Sequence, residues 1–123
     1  MKRTISHKNI FYKRRYLMIK LDLHVHSMYS DDGMGTPKEI MKSLQKKGLN
    51  GCALTDHNTI KEALAASKDL STDHFVIIPG IEISTKDGHL IGLNVSSLIP
   101  RGKSVNETVE LILDEGGTPI VPH

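Results

Sequence analysis

An acid and two imidazoles stand on alternate residues in Asp22-Leu23-His24-Val25-His26-Ser27, directly after the largely apolar run Leu17-Met18-Ile19-Lys20-Leu21. Alternate side chains of a β-strand share a face. The spacing therefore predicts Asp22, His24 and His26 pointing together at the end of one strand. Two imidazoles so placed can hold one metal ion, with the acid behind them orienting a ring. A solvated strand end could carry the same letters, so the remaining histidines and acids have to decide.

They fall into a pattern. Asp31 and Asp32 lie in the loop after that strand, Asp56 and His57 end a second apolar run, Glu82 follows a third just past Pro79-Gly80, and His123 ends a fifth. In parallel α/β folds ligands bind at the carboxyl ends of the strands, and this is where all of these residues are predicted to sit. A donor set of imidazole and carboxylate without thiolate suits zinc, manganese or iron better than calcium or magnesium. A carboxylate such as that of Glu82 can bridge two ions. Two nearby ions bind the attacking and leaving oxygens of a phosphate ester, and metal-bound hydroxide rather than a side chain would be the nucleophile. Ser27 and Ser30 have no base partner and read as turn residues, or at most phosphate contacts. His7 and His74 read as solvated. His89 opens a strand after a turn, so the strand-end rule leaves it outside the site, with a structural or substrate-contacting role open.

The elements that must position these groups can be read from periodicity and punctuation. Residues 17–25 form the first strand, and Ser27 to Gly35 a polar, Gly-containing loop. Thr36-Pro37-Lys38-Glu39 is a capping box with Pro at the first helical position, Ile40, Met41 and Leu44 give an apolar stripe, and Gly48 closes the helix. A short strand over 51–54 leads to Asn58, a candidate cap for a helix over 59–70 with Ile60, Ala63, Leu64 and Ser67 on one face. Phe75-Val76-Ile77-Ile78 is a third strand broken by Pro79-Gly80, with an extended pattern resuming at Ile81-Glu82-Ile83-Ser84. Lys86-Asp87-Gly88 is a turn. Residues 89–95 form a fourth strand. A helix follows the box Ser104-Val105-Asn106-Glu107, with Val109, Ile112 and Leu113 inward, and Pro119-Ile120-Val121 starts a fifth strand. Strand–helix alternation of this kind predicts an α/β fold with parallel strands, as part of either a barrel or an open sheet.

The chain has 123 residues, 38% of them hydrophobic and none of them Trp, enough for one small aliphatic core. Its single cysteine, Cys52, excludes an internal disulfide, fits a reducing, cytoplasmic compartment, and sits in an apolar run as a buried thiol. The formal charge of +2 hides an asymmetry: residues 1–17 carry six Lys/Arg and no acid, whereas the rest carries ten Lys/Arg and fourteen Asp/Glu, a net of −4. The basic extension is expected to be a disordered leader, with contact to nucleic acid as the alternative. No stretch has the length of a membrane span or the form of a signal peptide.

Five segments taken in order resemble the successive motifs of the PHP (polymerase and histidinol phosphatase) family. They are Asp22 to Ser27, Tyr29-Ser30-Asp31-Asp32-Gly33, Thr55-Asp56-His57-Asn58-Thr59, Pro79 to Ser84, and Pro122-His123. The resemblance covers residues 18–123. It implies a distorted seven-stranded β/α barrel, here its first four βα units and the start of a fifth strand, with up to three divalent ions (Zn, Mn or Fe) at the strand ends. It implies that His24, His26 and Glu82 hold the first ion, Glu82 with His123 the second, and His57 with Asp32 (or Asp31) the third, while Asp22 and Asp56 orient imidazoles. The family's further histidines and its Asp-x-His lie beyond the Pro-His motif, so the resemblance implies the N-terminal part of a PHP protein, weak or inactive by itself. The implied reaction is hydrolysis of a phosphorylated small molecule, a nucleotide or short RNA. A histidinol-phosphate phosphatase and a structural or proofreading module of a DNA polymerase are the alternatives.

Overall fold

A computed structural model describes residues 18–123; the basic extension over 1–17 and His7 lie outside the described residues. The elements run β1 (Leu21–Val25), α1 (Pro37–Lys46), β2 (Gly51–Leu54), α2 (Lys61–Leu70), β3 (Val76–Thr85), β4 (Gly88–Leu93), α3 (Val105–Asp114) and β5 (Thr118–Ile120). They build one five-stranded sheet in the order β1-β2-β3-β4-β5.

The α/β expectation holds, but not the all-parallel sheet. β1, β2 and β3 are parallel, whereas β4 is antiparallel to both β3 and β5. The reason lies in the connection. Parallel neighbours need a crossover of a dozen or more residues, and only Lys86 and Asp87 separate β3 from β4. In place of four βα units, the described residues hold three strand–helix units and one hairpin. β3 also runs unbroken through Pro79-Gly80. At that dipeptide it changes partner, from β2 over Val76–Pro79 to β4 over Gly80–Thr85. Proline lacks an N–H for a ladder, which suits a residue at such a switch.

One face of the sheet packs on the helices. Cys52, Leu54, Ile77, Ile81, Ile83 and Leu90 meet Ala63 and Ala66 of α2 and Ile112 of α3 there. The other face carries a smaller apolar cluster of Ala53, Ile91 and Leu93, with Ile78 and Ile120 against it. Glu82, opposite Ile91 in the β3–β4 register, belongs to this second face.

The helix signals are mixed in outcome. Thr36 caps α1 in a full capping box with Glu39, and Gly48 follows the helix with φ +85°. Ser104 caps α3 by accepting from Glu107 N. Asn58, however, does not cap α2: it takes φ +53°, its side chain turns to Ser84, and Ile60 occupies the cap position without a side-chain bond. On α3, Thr108 and Ile112 point inward, and Leu113 is exposed rather than buried.

Cys52 is buried on the helix face, and burial, with the Asp22 carboxylate adding to it, pushes its thiol up to about 12. A thiol so placed is almost never thiolate at neutral pH. Ellman's reagent should leave Cys52 unmodified in the folded chain and titrate one thiol in urea; fast labelling without denaturant would contradict its placement.

Candidate metal centre

The loop after β1 is fixed by a buried carboxylate. Asp56 is 1% exposed. Its Oδ1 accepts from Ser27 N at 2.6 Å and Ser30 Oγ at 3.0 Å, and its Oδ2 from Ser27 Oγ at 2.6 Å. Ser30 Oγ in turn accepts from His57 N at 2.8 Å. The knot ties the loop that carries Asp32 to the end of β2 that carries His57. It also corrects one expectation: Asp56 holds loop groups rather than an imidazole. The buried Ser27 and Ser30 hydroxyls donate to Asp56, in keeping with their reading as turn residues.

Asp22 departs from expectation for a different reason. Asp22 is in register with Cys52 and Val25 with Leu54, so three steps along β1 match two along β2. Such an irregularity breaks strict alternation. Asp22 consequently lies on the helix side with Cys52, while His24 turns to the opposite face. The Asp22 carboxylate accepts from the backbone N–H of His24 at 3.1 Å and orients that peptide, not a ring.

Glu82 is the centre of the arrangement. Its side chain is 2% exposed, and its Oε1 lies 2.7 Å from Nε2 of both His24 and His26. Its Oε2 lies 3.3 Å from His89 Nδ1 and 3.9 Å from His123 Nε2. His57 reaches the same place through the sheet: after β2 ends, His57 bridges Glu82 at the same offset that pairs Leu54 with Pro79. Asn58 N donates to Glu82 O, and Glu82 N to Asp56 O, on either side of that bridge. The five rings of His24, His26, His57, His89 and His123 close a circuit around the carboxylate, with neighbouring centroids 4.6 to 6.4 Å apart.

Asp32 closes a second, more exposed cluster. Its Oδ1 is 2.8 Å from His26 Nδ1 and its Oδ2 3.0 Å from His57 Nε2. Asp31 joins none of these contacts, so of the doubled acid it is Asp32 that faces the imidazoles. Burial works to raise the pKa of both Asp32 and Glu82, but bonds to the imidazoles outweigh it and hold both carboxyls below the usual value.

His89 is the residue sequence reasoning left out. In a parallel sheet the start of β4 would lie at the far end from the site. The antiparallel hairpin puts His89 opposite Ser84, at the end where Glu82 projects. The available signal was the short turn, too short for a parallel crossover. His123 is present but peripheral, its side chain 64% exposed.

The donor chemistry fits a metal. Three sets offer ligand atoms within 4.8 Å of one another: His24, His26 and Glu82; His26, Asp32 and His57; His57, Glu82 and His89. A buried carboxylate needs a cation or several donors, and among the described residues no Lys or Arg lies within salt-bridge distance of Glu82. Imidazole nitrogens converging on carboxylate oxygens are the set that zinc, manganese and iron take.

Gly33 keeps Asp32 in reach. A Cβ on residue 33 would stand 2.1 Å from Ser27 O and 2.8 Å from the His26 carbonyl carbon, both backbone atoms. Gly33→Ala should therefore displace the loop, lower stability by about 1–3 kcal/mol and weaken binding of the ion nearest Asp32. Urea unfolding and Mn²⁺ titration would check this; unchanged values for both would show that the loop absorbs a methyl group freely.

Residues 22–117 match the PHP domain family. The chain is 37% identical over 115 residues to an uncharacterized protein of Methanocaldococcus jannaschii, an alignment spanning 85% of this chain and 67% of that one. It is 39% identical over 89 residues to a 5'-3' exoribonuclease of Haemophilus influenzae, across 67% of this chain and 31% of the relative. In fold it is similar to a two-domain protein of Bacteroides vulgatus that contains a predicted PHP-like metal-dependent phosphoesterase. The TM-score is 0.60 at 22% identity, over 82% of this chain and 34% of that one. The chain thus spans about a third of the length of the exoribonuclease and of the two-domain protein.

Proposed function

From the premise that this chain belongs to the PHP domain family, we propose that it carries part of the active site of a metal-dependent phosphoesterase acting on a phosphate monoester, nucleotide or oligonucleotide. The observation that carries the reading is the ring of five imidazoles around the buried carboxylate of Glu82. Nothing in a packing role calls for that arrangement, because a buried carboxylate with no Lys or Arg beside it among the described residues is costly unless a cation shares its charge.

The two oxygens of Glu82 divide the ring. His24 and His26 converge on Oε1, whereas His89 and His123 face Oε2. In this reading His24, His26 and Glu82 hold a first ion, and Glu82 with His123 and His89 a second. A neutral imidazole has one free lone pair, so His26 serves the first ion, leaving Asp32 and His57 for a third. When bound, zinc, manganese or iron supplies a Lewis acid for phosphoryl oxygens and lowers the pKa of water. The protein's share is positional: Asp56 holds the loop that presents Asp32, and Asp22 holds the His24 peptide. The cluster is open, with His24 37% and Asp32 54% exposed, and turnover by these residues alone is expected to be weak. The exoribonuclease relative supports a nucleotide or RNA substrate by analogy.

The test is phosphate release from nucleoside monophosphates and from 5'-phosphorylated short RNA, with Mn²⁺ or Zn²⁺ bound and after EDTA. Release that needs the ion and disappears in Glu82→Gln supports the reading. A chain that binds neither ion, or a rate indifferent to EDTA, overturns it.

A further inference from the structure

The hairpin tip between β3 and β4 extends past the strand end that carries Glu82 and His89 of the candidate metal centre. Ser84 pairs with His89 and Thr85 with Gly88, which leaves Lys86 at the turn. At about 3.3 Å per strand residue, Lys86 begins about 7 Å beyond the His89 position. The segment before α3 is stitched to the same edge: Gly102 N donates to Ser84 O at 2.8 Å, and Lys86 N to Lys103 O at 2.8 Å. Arg101, Lys103 and Lys86 are thereby held together at the rim, with Lys86 and Arg101 exposed and Lys103 half-buried.

Three features mark this as more than scattered surface charge. The described residues carry a net charge of −4 by sequence, so a local cluster of cations runs against the body's trend. No acid occurs from Gly88 to Asn106, and the one acid in the turn, Asp87, is engaged with Val105 N at 3.0 Å. Like charges on paired backbone repel, and no carboxylate pairs with Lys86, Arg101 or Lys103 among the described residues. A polyanion laid across the rim would relieve that repulsion.

We propose that Lys86, Arg101 and Lys103 bind a second phosphate of the substrate, displaced from the phosphate at the metal centre, and so select a phosphodiester-linked chain over a lone phosphomonoester. This rests on the phosphoesterase reading and narrows its substrate to an oligonucleotide. Cations on phosphates act through counterion release, with a slope of about −0.7 in log affinity against log salt per contact on single strands.

The experiment measures binding of a fluorescent, 5'-phosphorylated ten-nucleotide RNA and its DNA counterpart by anisotropy over a range of salt, with the mononucleotide as competitor. The wild-type chain is compared with Lys86→Ala/Arg101→Ala/Lys103→Ala, and with Lys42→Ala/Lys46→Ala/Lys47→Ala on α1 as a charge-matched control. The rim variant should lose the preference for oligonucleotide over mononucleotide, and its salt slope should shrink by about 2, while the control keeps both. A preference for RNA over DNA would add that the rim also senses the sugar, and equal binding that it reads phosphates alone; both support the proposal. A wild-type chain that binds oligonucleotide no better than mononucleotide, or a rim variant that behaves as the control, overturns it. Mn²⁺ titration of the wild-type chain is scored separately: its failure strikes the metal centre, whereas the oligonucleotide comparison judges the rim.

Discussion

Glu82→Gln should abolish useful metal binding while leaving the fold in place. The substitution keeps the size of the side chain and lets an amide meet the imidazoles, so no cavity forms on the buried face where Glu82 sits. It removes the one negative charge at which His24, His26, His89 and His123 converge. Removing a group that merely supports a metal ligand typically costs 10–100-fold in affinity. In the proposed reading Glu82 is shared by two ions, so a loss of at least about 100-fold is expected, about 2.7 kcal/mol or more. Calorimetric titration with Mn²⁺ and Zn²⁺ measures the affinity, and a thermal melt with and without ion measures the coupling. Ions that bind only the folded chain raise its melting point by mass action, and that rise should vanish in the variant. A Gln variant with wild-type affinity would place the ions elsewhere.

Asp56→Ala should be the most destabilising single change outside the apolar core. Three donors, Ser27 N, Ser27 Oγ and Ser30 Oγ, lose their acceptor together, in a place where Ser27 and Asp56 are shut off from water. Each bond to a charged acceptor is worth about 1.5–3 kcal/mol, and buried donors left without a partner add desolvation cost. A loss of about 3–5 kcal/mol is expected, against the 5–15 kcal/mol by which domains are ordinarily stable. Asp56→Asn should cost less, because its carbonyl can still accept from Ser27 N and Ser30 Oγ. Urea unfolding gives this order directly, and equal stabilities for the two variants would show that the knot is not what fixes the loop. The same variants report on function, since the Asp56 carboxylate bonds no ring and reaches Asp32 and His57 through the loop and Ser30.

Both predictions depend on details that the sequence discloses unevenly. The Asp-x-His-x-His run, the Thr-Asp-His end of β2 and the Glu of β3 are visible as letters because strand ends in α/β folds carry chemistry. Asp56 was legible as important, and its role was not. A carboxylate beside a histidine suggests an imidazole partner, whereas the fold curls Ser27 and Ser30 back onto it instead. Asn58 likewise has the composition of a helix cap, yet the bridge between His57 and Glu82 draws it into a left-handed conformation and onto Ser84.

Sequence by itself determined the order of elements, the capping box of α1 and the Ser104 cap of α3, the burial of Cys52, and His24, His26, His57 and Glu82 as partners in one place. These follow from local rules: periodicity, capping chemistry and the polarity of strand ends. Tertiary structure alone decided which groups share a face and which oxygen each ring meets. The register shift in β1 moves Asp22 behind the sheet, and the antiparallel turn of β4 brings His89 to Glu82. Strand direction and register are properties of pairs, and a strand's residues alternate in the same way whichever direction its neighbour runs. The ring around Glu82 was therefore written in pieces along the chain and assembled only by the pairing of the strands.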